Sequence, residues 1–375
     1  MPRTATAALE QVYDKAYAGD RLTPADGLTL LRDGDLLTLG SIATAVRDGK
    51  HPILEGHDRR IVTYIVDRNV NYTNVCVAYC SFCAFYRAPG DAEGYVQSYE
   101  EIGGRLAELA AQDGRQVLLQ GGHHPDLTIE WYEGLLDYIR TNFPKINIHG
   151  FSPPEITHFA ETFRMPVADV IARFKAAGLG SIPGGGGEIL VDRVRDVIAP
   201  LKANTEQWLG VMREAHRQGL ATSATMMYGH VETLAERIEH LDRLRGLQDE
   251  THGFTAFICW PFQRAHGLAR KVKHESNAHD HLKTLAVGRL YLDNFENVQS
   301  SWVTQGPKIG QMALEFGCND MGGTMMEENV VSAAGTTYQV PPDRMDELIV
   351  DAGYEPRRRT TRYDLLPDHR AEVLT

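Results

Sequence analysis

Residues 71–87 read NYTNVCVAYCSFCAFYR and place Cys76, Cys80 and Cys83 in a C-x3-C-x2-C spacing. The other two cysteines, Cys259 and Cys318, lie far along the chain. Three thiols this close form a metal-ligand or redox set. Structural zinc takes four nitrogen or sulfur ligands, usually as two C-x2-C knuckles. This run has no second knuckle, so zinc would have to borrow His123 or His124. Thiolates also hold iron–sulfur clusters, and a cubane normally takes four. Three thiolates leave one iron open, and an open iron serves chemistry at the metal rather than electron storage. Phe82, Phe85 and Tyr86 flank the cysteines and can shield a cluster.

Composition narrows the setting. The chain has 375 residues, 43% hydrophobic and 23% charged, which suits a folded enzyme of one large or two ordinary domains. A net charge of −12 argues against nucleic acid as partner. The start lacks the features of a secretory signal, and no apolar run approaches the ~18 residues of a membrane span. The expected compartment is the reducing cytoplasm, away from membranes, where clustered thiols mean metal or catalysis rather than disulfides.

The cysteines need a scaffold. Residues 1–60 read as three short amphipathic helices punctuated by Thr-Pro and Asp-Gly, a helical cap. From 61 to 315 short apolar runs alternate with helical stretches. Strands are expected at IVTYIVDRNVNY, QVLLQGG, INIHG, LGSIP, LATSATMMYG, GFTAFICWPF and NVQSSWVT, and Asp126 is expected to cap the helix after QVLLQGG. Strand–helix units at roughly 30-residue spacing imply parallel strands with crossover helices. The expected fold is α/β, a partial or full βα (TIM-like) barrel with the N-terminal helical cap and a loop-rich C-terminal segment. That closing segment spans 316–375, where Arg357, Arg358 and Arg359 read as a solvated run. In such barrels the loops after the strands carry function. The cysteine loop, QGGHHPD, GFSPPE, PGGGGE and MMYGHVE all fall there.

The C-x3-C-x2-C run with an aromatic before its last cysteine resembles the signature of the radical S-adenosylmethionine (SAM) superfamily. Together with LLQGGHHPDLTIEWYEGLLDYIRTNFPKINIHGFSPPEI and MMYGHVET, it resembles the futalosine branch of menaquinone biosynthesis over roughly residues 20–350. The YTN, CAFYR and IEWYE segments favour the branch's dehypoxanthine futalosine cyclases over its aminofutalosine synthases and the radical SAM subunits of deazaflavin (cofactor F420) synthesis. GGHHPD and PGGGGEIL depart from the usual pattern without touching the cysteines. The resemblance implies a [4Fe-4S] cluster on Cys76, Cys80 and Cys83, and SAM on its open iron. It also implies an electron donor such as flavodoxin or ferredoxin, and a small-molecule substrate, dehypoxanthine futalosine.

The remaining candidates follow from that resemblance, each with a plainer reading. Gly121 and Gly122 would bring backbone to the SAM amino group, or only turn the chain. Glu188 would hold the SAM ribose and Arg193 its carboxylate; otherwise they are a helix-start carboxylate and a surface arginine. Ser152 would touch SAM or substrate, or cap a helix. Tyr228, His230 and Glu155 are rim candidates for substrate, with His123 and His124 behind them. Met226, Met227, Met325 and Met326 would line an apolar pocket, or belong to the core. Cys259 reads as a core thiol.

Overall fold

The computed structural model describes residues 3–263, 272, 276–327, 329–330, 332–335 and 338–368. Three N-terminal helices form where the sequence marks them: α1 (Arg3–Tyr17), α2 (Pro24–Asp33) and α3 (Leu36–Lys50). Their starts are written in side chains. Thr23 Oγ1 accepts from Asp26 N, the Asp26 carboxylate accepts from Thr23 N, and Pro24 fills the first helical position. Asp35 caps α3 through Thr38 N.

Among the described residues ten strands follow: β1 (Ile61–Ile65), β2 (Asp67–Asn71), β3 (Gln116–Gln120), β4 (Asn147–Gly150), β5 (Ser181–Ile182), β6 (Ala221–Tyr228), β7 (Phe254–Pro261), β8 (Asn297–Gln299), β9 (Asp320–Gly323) and β10 (Glu355–Arg358). All pair in parallel, in the order β10-β1-β9-β8-β7-β6-β5-β4-β3-β2. Only Val66 separates β1 from β2, so β2, at one end of that order, is joined in the chain to β1, one place in from the other. The sheet therefore curls into a TIM-like barrel, with β10 added outside β1. Crossover helices α4 (Tyr99–Ala111), α5 (Ile129–Asn142), α6 (Pro153–Thr162), α7 (Val167–Ala177), α8 (Asp192–Ile198), α9 (Thr205–Arg217), α10 (Leu234–Thr251) and α11 (Ala278–Tyr291) cover it. The cap closes against this layer: α2 packs on α10, and both α2 and α3 pack on α11. Among the described residues, no helix is long and apolar enough to cross a membrane.

Four expectations change. α5 is capped by Thr128, which accepts from Trp131 N, rather than by Asp126, whose own N–H donates to His124 Nδ1. Only Asn297–Gln299 of NVQSSWVT is strand; Trp302–Gln305 is a helical turn, its start set by Ser301. The loop-rich stretch of the closing segment holds a strand, β9, besides the helix Pro342–Asp351 and the basic strand, β10, read at its end; residues 369–375 lie outside the described residues. The arginine run is not wholly solvated: Arg357 and Arg358 are half-buried. β10 pairs with β1, which brings Arg359 inside, where it is 3% exposed and ion-paired to Asp320.

Candidate active site

The cysteine loop leaves β2 at the C-terminal end of the barrel and is pinned from three sides. Cys76 N–H donates to the Arg87 carbonyl at 2.9 Å, and Val77 N–H to the His123 carbonyl at 3.1 Å. Ser81 N–H and Oγ–H both donate to the Ile198 carbonyl at the end of α8, each at 2.9 Å. Tyr79 takes a left-handed backbone with φ 45° between the first two cysteines and packs edge-on against Tyr86. All three thiols are free and face one cavity of about 410 Å³, within the range of small-molecule sites. Phe82, Phe85 and Tyr86 line it too, as expected for a shield.

The cysteines' surroundings fit a cluster better than one ion. Three free thiols line one cavity, and no fourth cysteine lines it among the described residues, the donor set of a cluster with one open iron rather than of a four-ligand structural zinc. His123 lines the cavity, but its ring stacks on His158 at 4.8 Å. Burial pushes the Cys80 thiol up to about 12, against the pull of Lys202, and it raises Cys76, against N–H groups of Ala78 and His123 that aim at the sulfur. Cysteine thiolates are the ligands iron–sulfur clusters take, and metal binding draws off the protons.

Gly121 and Gly122 follow β3 and abut the loop. A Cβ on Gly122 would stand 2.9 Å from Cys76 Cβ and closer still to the Val75 carbonyl. Gly121 N–H donates to Glu155 Oε1 at 3.0 Å. Tyr72 Oη donates to the same oxygen at 2.8 Å, while Ser152 N–H and Oγ–H take Oε2 at 2.8 and 2.6 Å. Glu155 thus ties together the chain leaving β2, β3 and β4. Burial raises its pKa, and these four donors oppose that rise. Its oxygens serve the scaffold, so Glu155 and Ser152 line the cavity as a joined pair. Glu155→Gln should cost about 2–3 kcal/mol, because an amide NH₂ must face N–H or O–H donors. Urea unfolding of the apo-protein measures it; an unchanged midpoint would remove this joint.

Glu188 stands on the cavity wall after the glycine run, with φ 28°. Lys202 Nζ lies 3.2 Å from its Oε1 and Arg195 Nη1 3.8 Å from its Oε2. Arg195 Nη1 also donates to the Gly186 and Gly187 carbonyls at 3.0 and 3.1 Å, and its Nε to Ala203 O at 2.9 Å. One guanidinium therefore holds both the glycine run and the turn that carries Lys202.

Arg193 does not join this group. Two residues turn a helix by about 200°, so Arg193 and Arg195 lie on nearly opposite sides of α8. Arg193 faces α10, paired to Glu236 at 2.5 Å with its side chain 54% exposed. Tyr228 is turned out by strand alternation. Ser223, Thr225 and Met227 of β6 line the cavity, so Tyr228 points the other way. There its hydroxyl meets His281 Nδ1 at 2.9 Å and Arg237 lies over its ring. His230 folds back onto the Met227 carbonyl at 2.9 Å and accepts from Val231 N. Neither lines the cavity, whereas Met227 and Met325 do. Cys259 lies between Ile258 and Trp260 of β7, which line the cavity, and is itself fully buried away from it.

The cavity runs on into the barrel, past His149 of β4, to Arg359, Thr361 and Tyr363. His149 Nδ1 meets Ser181 Oγ at 2.7 Å, and Asn147 Nδ2 donates to the same oxygen at 2.8 Å. Burial holds the imidazole neutral, its pKa lowered to about 3.

A curled, TIM-like parallel sheet carrying three free cysteines on its first rim loop, over a cavity of this kind, defines a cluster-binding barrel enzyme. Residues 70–244 match the sequence model of the radical SAM superfamily, and residues 251–371 that of the CofH/MqnC C-terminal region. The chain is 44% identical to the cyclic dehypoxanthine futalosine synthase of Halalkalibacterium halodurans, covering 96% of this chain and 95% of that one. It is 42% identical to the Streptomyces coelicolor protein of the same name, with 98% and 91% covered. Against the aminodeoxyfutalosine synthase of Thermus thermophilus it is 39% identical, with 94% of each covered. The hydrogenase maturase HydG of Carboxydothermus hydrogenoformans has the same fold, with TM-score 0.73 at 16% identity over 96% of this chain and 82% of that one. The chain belongs to the radical SAM superfamily, whose members use a [4Fe-4S] cluster and SAM.

Proposed function

We propose that this protein cyclises dehypoxanthine futalosine to its cyclic form in menaquinone biosynthesis, in the cytoplasm, taking electrons from a flavodoxin or ferredoxin. The observation that carries the reading is the 44% match running almost end to end through a cyclic dehypoxanthine futalosine synthase. Cys76, Cys80 and Cys83 hold the cluster. When bound, cluster and SAM would supply hydrogen-abstracting radical chemistry: one hydrogen atom would pass from C4′ of the substrate sugar to 5′-deoxyadenosine, and after the C4′ carbon bonds to the benzoate ring, one electron and one proton would leave that ring. The protein's part is orientation and exclusion of water. Gly121 and Gly122 bring backbone close to the methionine end of SAM. Their carbonyls accept no hydrogen bond among the described residues, which leaves them open to its amino group. Glu188 takes the ribose hydroxyls. Phe82, Phe85 and Trp260 cover the apolar wall.

The test is turnover by anaerobically reconstituted protein given SAM, dithionite and dehypoxanthine futalosine. The expected product is lighter than substrate by two hydrogen atoms, with one 5′-deoxyadenosine formed per product. Uncoupled 5′-deoxyadenosine alone would sink the substrate assignment and direct the assay to the enolpyruvyl benzoate of aminofutalosine synthases. Glu188→Gln should weaken SAM binding roughly tenfold, about the worth of one charged hydrogen bond, while leaving the iron content unchanged. Equal SAM affinity by calorimetry would take Glu188 out of the SAM site.

A further inference from the structure

Glu188, Arg195 and Lys202 meet at the cavity wall with side chains 8%, 5% and 17% exposed. One carboxylate against two cations leaves the group a single positive charge, inside a chain whose net charge is −12. The excess sits on the Lys202 side. Arg195 is spent on three backbone carbonyls, whereas the only hydrogen-bond acceptor Lys202 Nζ meets among the described residues is Glu188. The ammonium leans over the Phe82 ring, 5.3 Å from its centroid, and Phe82 directly precedes Cys83. Lys202 lines the same cavity wall as Cys76, Cys80 and Cys83. It stays charged: burial opposes the charge, and Glu188, Cys80 and Cys83 more than offset it.

Three thiolates on an oxidised [4Fe-4S] core carry one net negative charge, and one-electron reduction makes that two. A fixed positive charge stabilises the more negative state. We propose that Lys202 is a positioning residue that sets the reduction potential of the cluster, its ammonium favouring the reduced form and Glu188 moderating it. The electron comes from a low-potential one-electron donor, and no bond is made or broken. The inference rests on the reading that Cys76, Cys80 and Cys83 hold the cluster. It does not depend on which substrate is bound.

The experiment is a redox titration of reconstituted protein without SAM, following the reduced cluster by electron paramagnetic resonance. Wild type, Lys202→Met, Lys202→Arg and Glu188→Gln are compared. At the potential that half-reduces wild type, Lys202→Met should show a reduced-to-oxidised ratio lower by on the order of tenfold. A unit charge at a separation of about ten ångströms and an effective dielectric near 20 would have an effect of that order. Lys202→Arg should stay near wild type, and Glu188→Gln should move the ratio the opposite way. A loosened loop would not give opposite signs. An unchanged Lys202→Met midpoint overturns the proposal, as does a shift of Lys202→Met and Glu188→Gln in the same direction. If Lys202→Met takes up no iron, the Glu188→Gln titration decides, and a midpoint that fails to rise overturns the proposal. A wild-type protein that takes up no cluster would instead overturn the cofactor reading.

Discussion

Replacing Cys80 by alanine should bleach the brown charge-transfer absorbance of reconstituted protein and bring turnover to background. The thiol is 5% exposed on a loop that faces the cavity, and among the described residues no cysteine beyond Cys76, Cys80 and Cys83 lines it. With two thiolates left, a cubane loses the grip of a second iron, and the open iron that would meet SAM is no longer defined. Global stability should fall little, by about 1 kcal/mol, because the loop's pins are backbone bonds from Cys76, Val77 and Ser81 that alanine at position 80 leaves in place. The contrast is Cys259→Ala. That thiol is fully buried in β7 and outside the cavity. Its loss should cost about 1–2 kcal/mol of packing and leave absorbance and turnover intact. Iron content, absorbance and 5′-deoxyadenosine yield measured on both variants read the difference. Full turnover by Cys80→Ala, or a bleached Cys259→Ala, would end the three-ligand assignment.

The parts of this site that were legible in the sequence are those whose chemistry is local. The cysteine spacing, the glycine pair after β3 and the strand–helix alternation each need only a short window of chain. What was hidden depends on direction or on distant partners. Arg193 and Arg195 look alike in the run VDRVRDV, and only the helix start separates the one that faces α10 from the one that holds the glycine run. Tyr228 sits on the rim as expected, yet one residue of strand alternation turns it outward. Counting inward positions of β6 from Ser223 would have shown this. Lys202 carries no local signal, since it lies in a plain turn, PLKAN, and gains its place from Glu188 fourteen positions earlier. Arg359 is the extreme case. A charge run near a chain end reads as surface unless a strand hundreds of residues away pairs with it.

That pairing sets up the second large effect: Arg359→Met should destabilise the fold by about 3–5 kcal/mol. Asp320 is fully buried on β9 and accepts from Arg359 Nε at 2.5 Å and Nη2 at 2.9 Å. Thr63 Oγ1 and Gly322 N fill its remaining positions, at 2.5 and 2.7 Å. The guanidinium also lies 3.9 Å above the Tyr363 ring, and Thr361 Oγ1 donates to Gln116 across the floor at 2.8 Å. Removing the arginine leaves a buried carboxylate with two neutral donors and no counter-charge, and it must either protonate or admit water. Asp320→Asn alone should be similarly costly, because it strands the cation instead. The double variant Asp320→Asn with Arg359→Met strands neither charge. It should recover much of the loss, giving a coupling of about 2 kcal/mol or more in a cycle of urea midpoints. Additive losses would mean that the two residues act apart and that the closing strand is held by β1 pairing alone. Strong coupling would mean that this pair, placed by β9 and the residue after β10, seals the inner end of the cavity that begins at the cysteines.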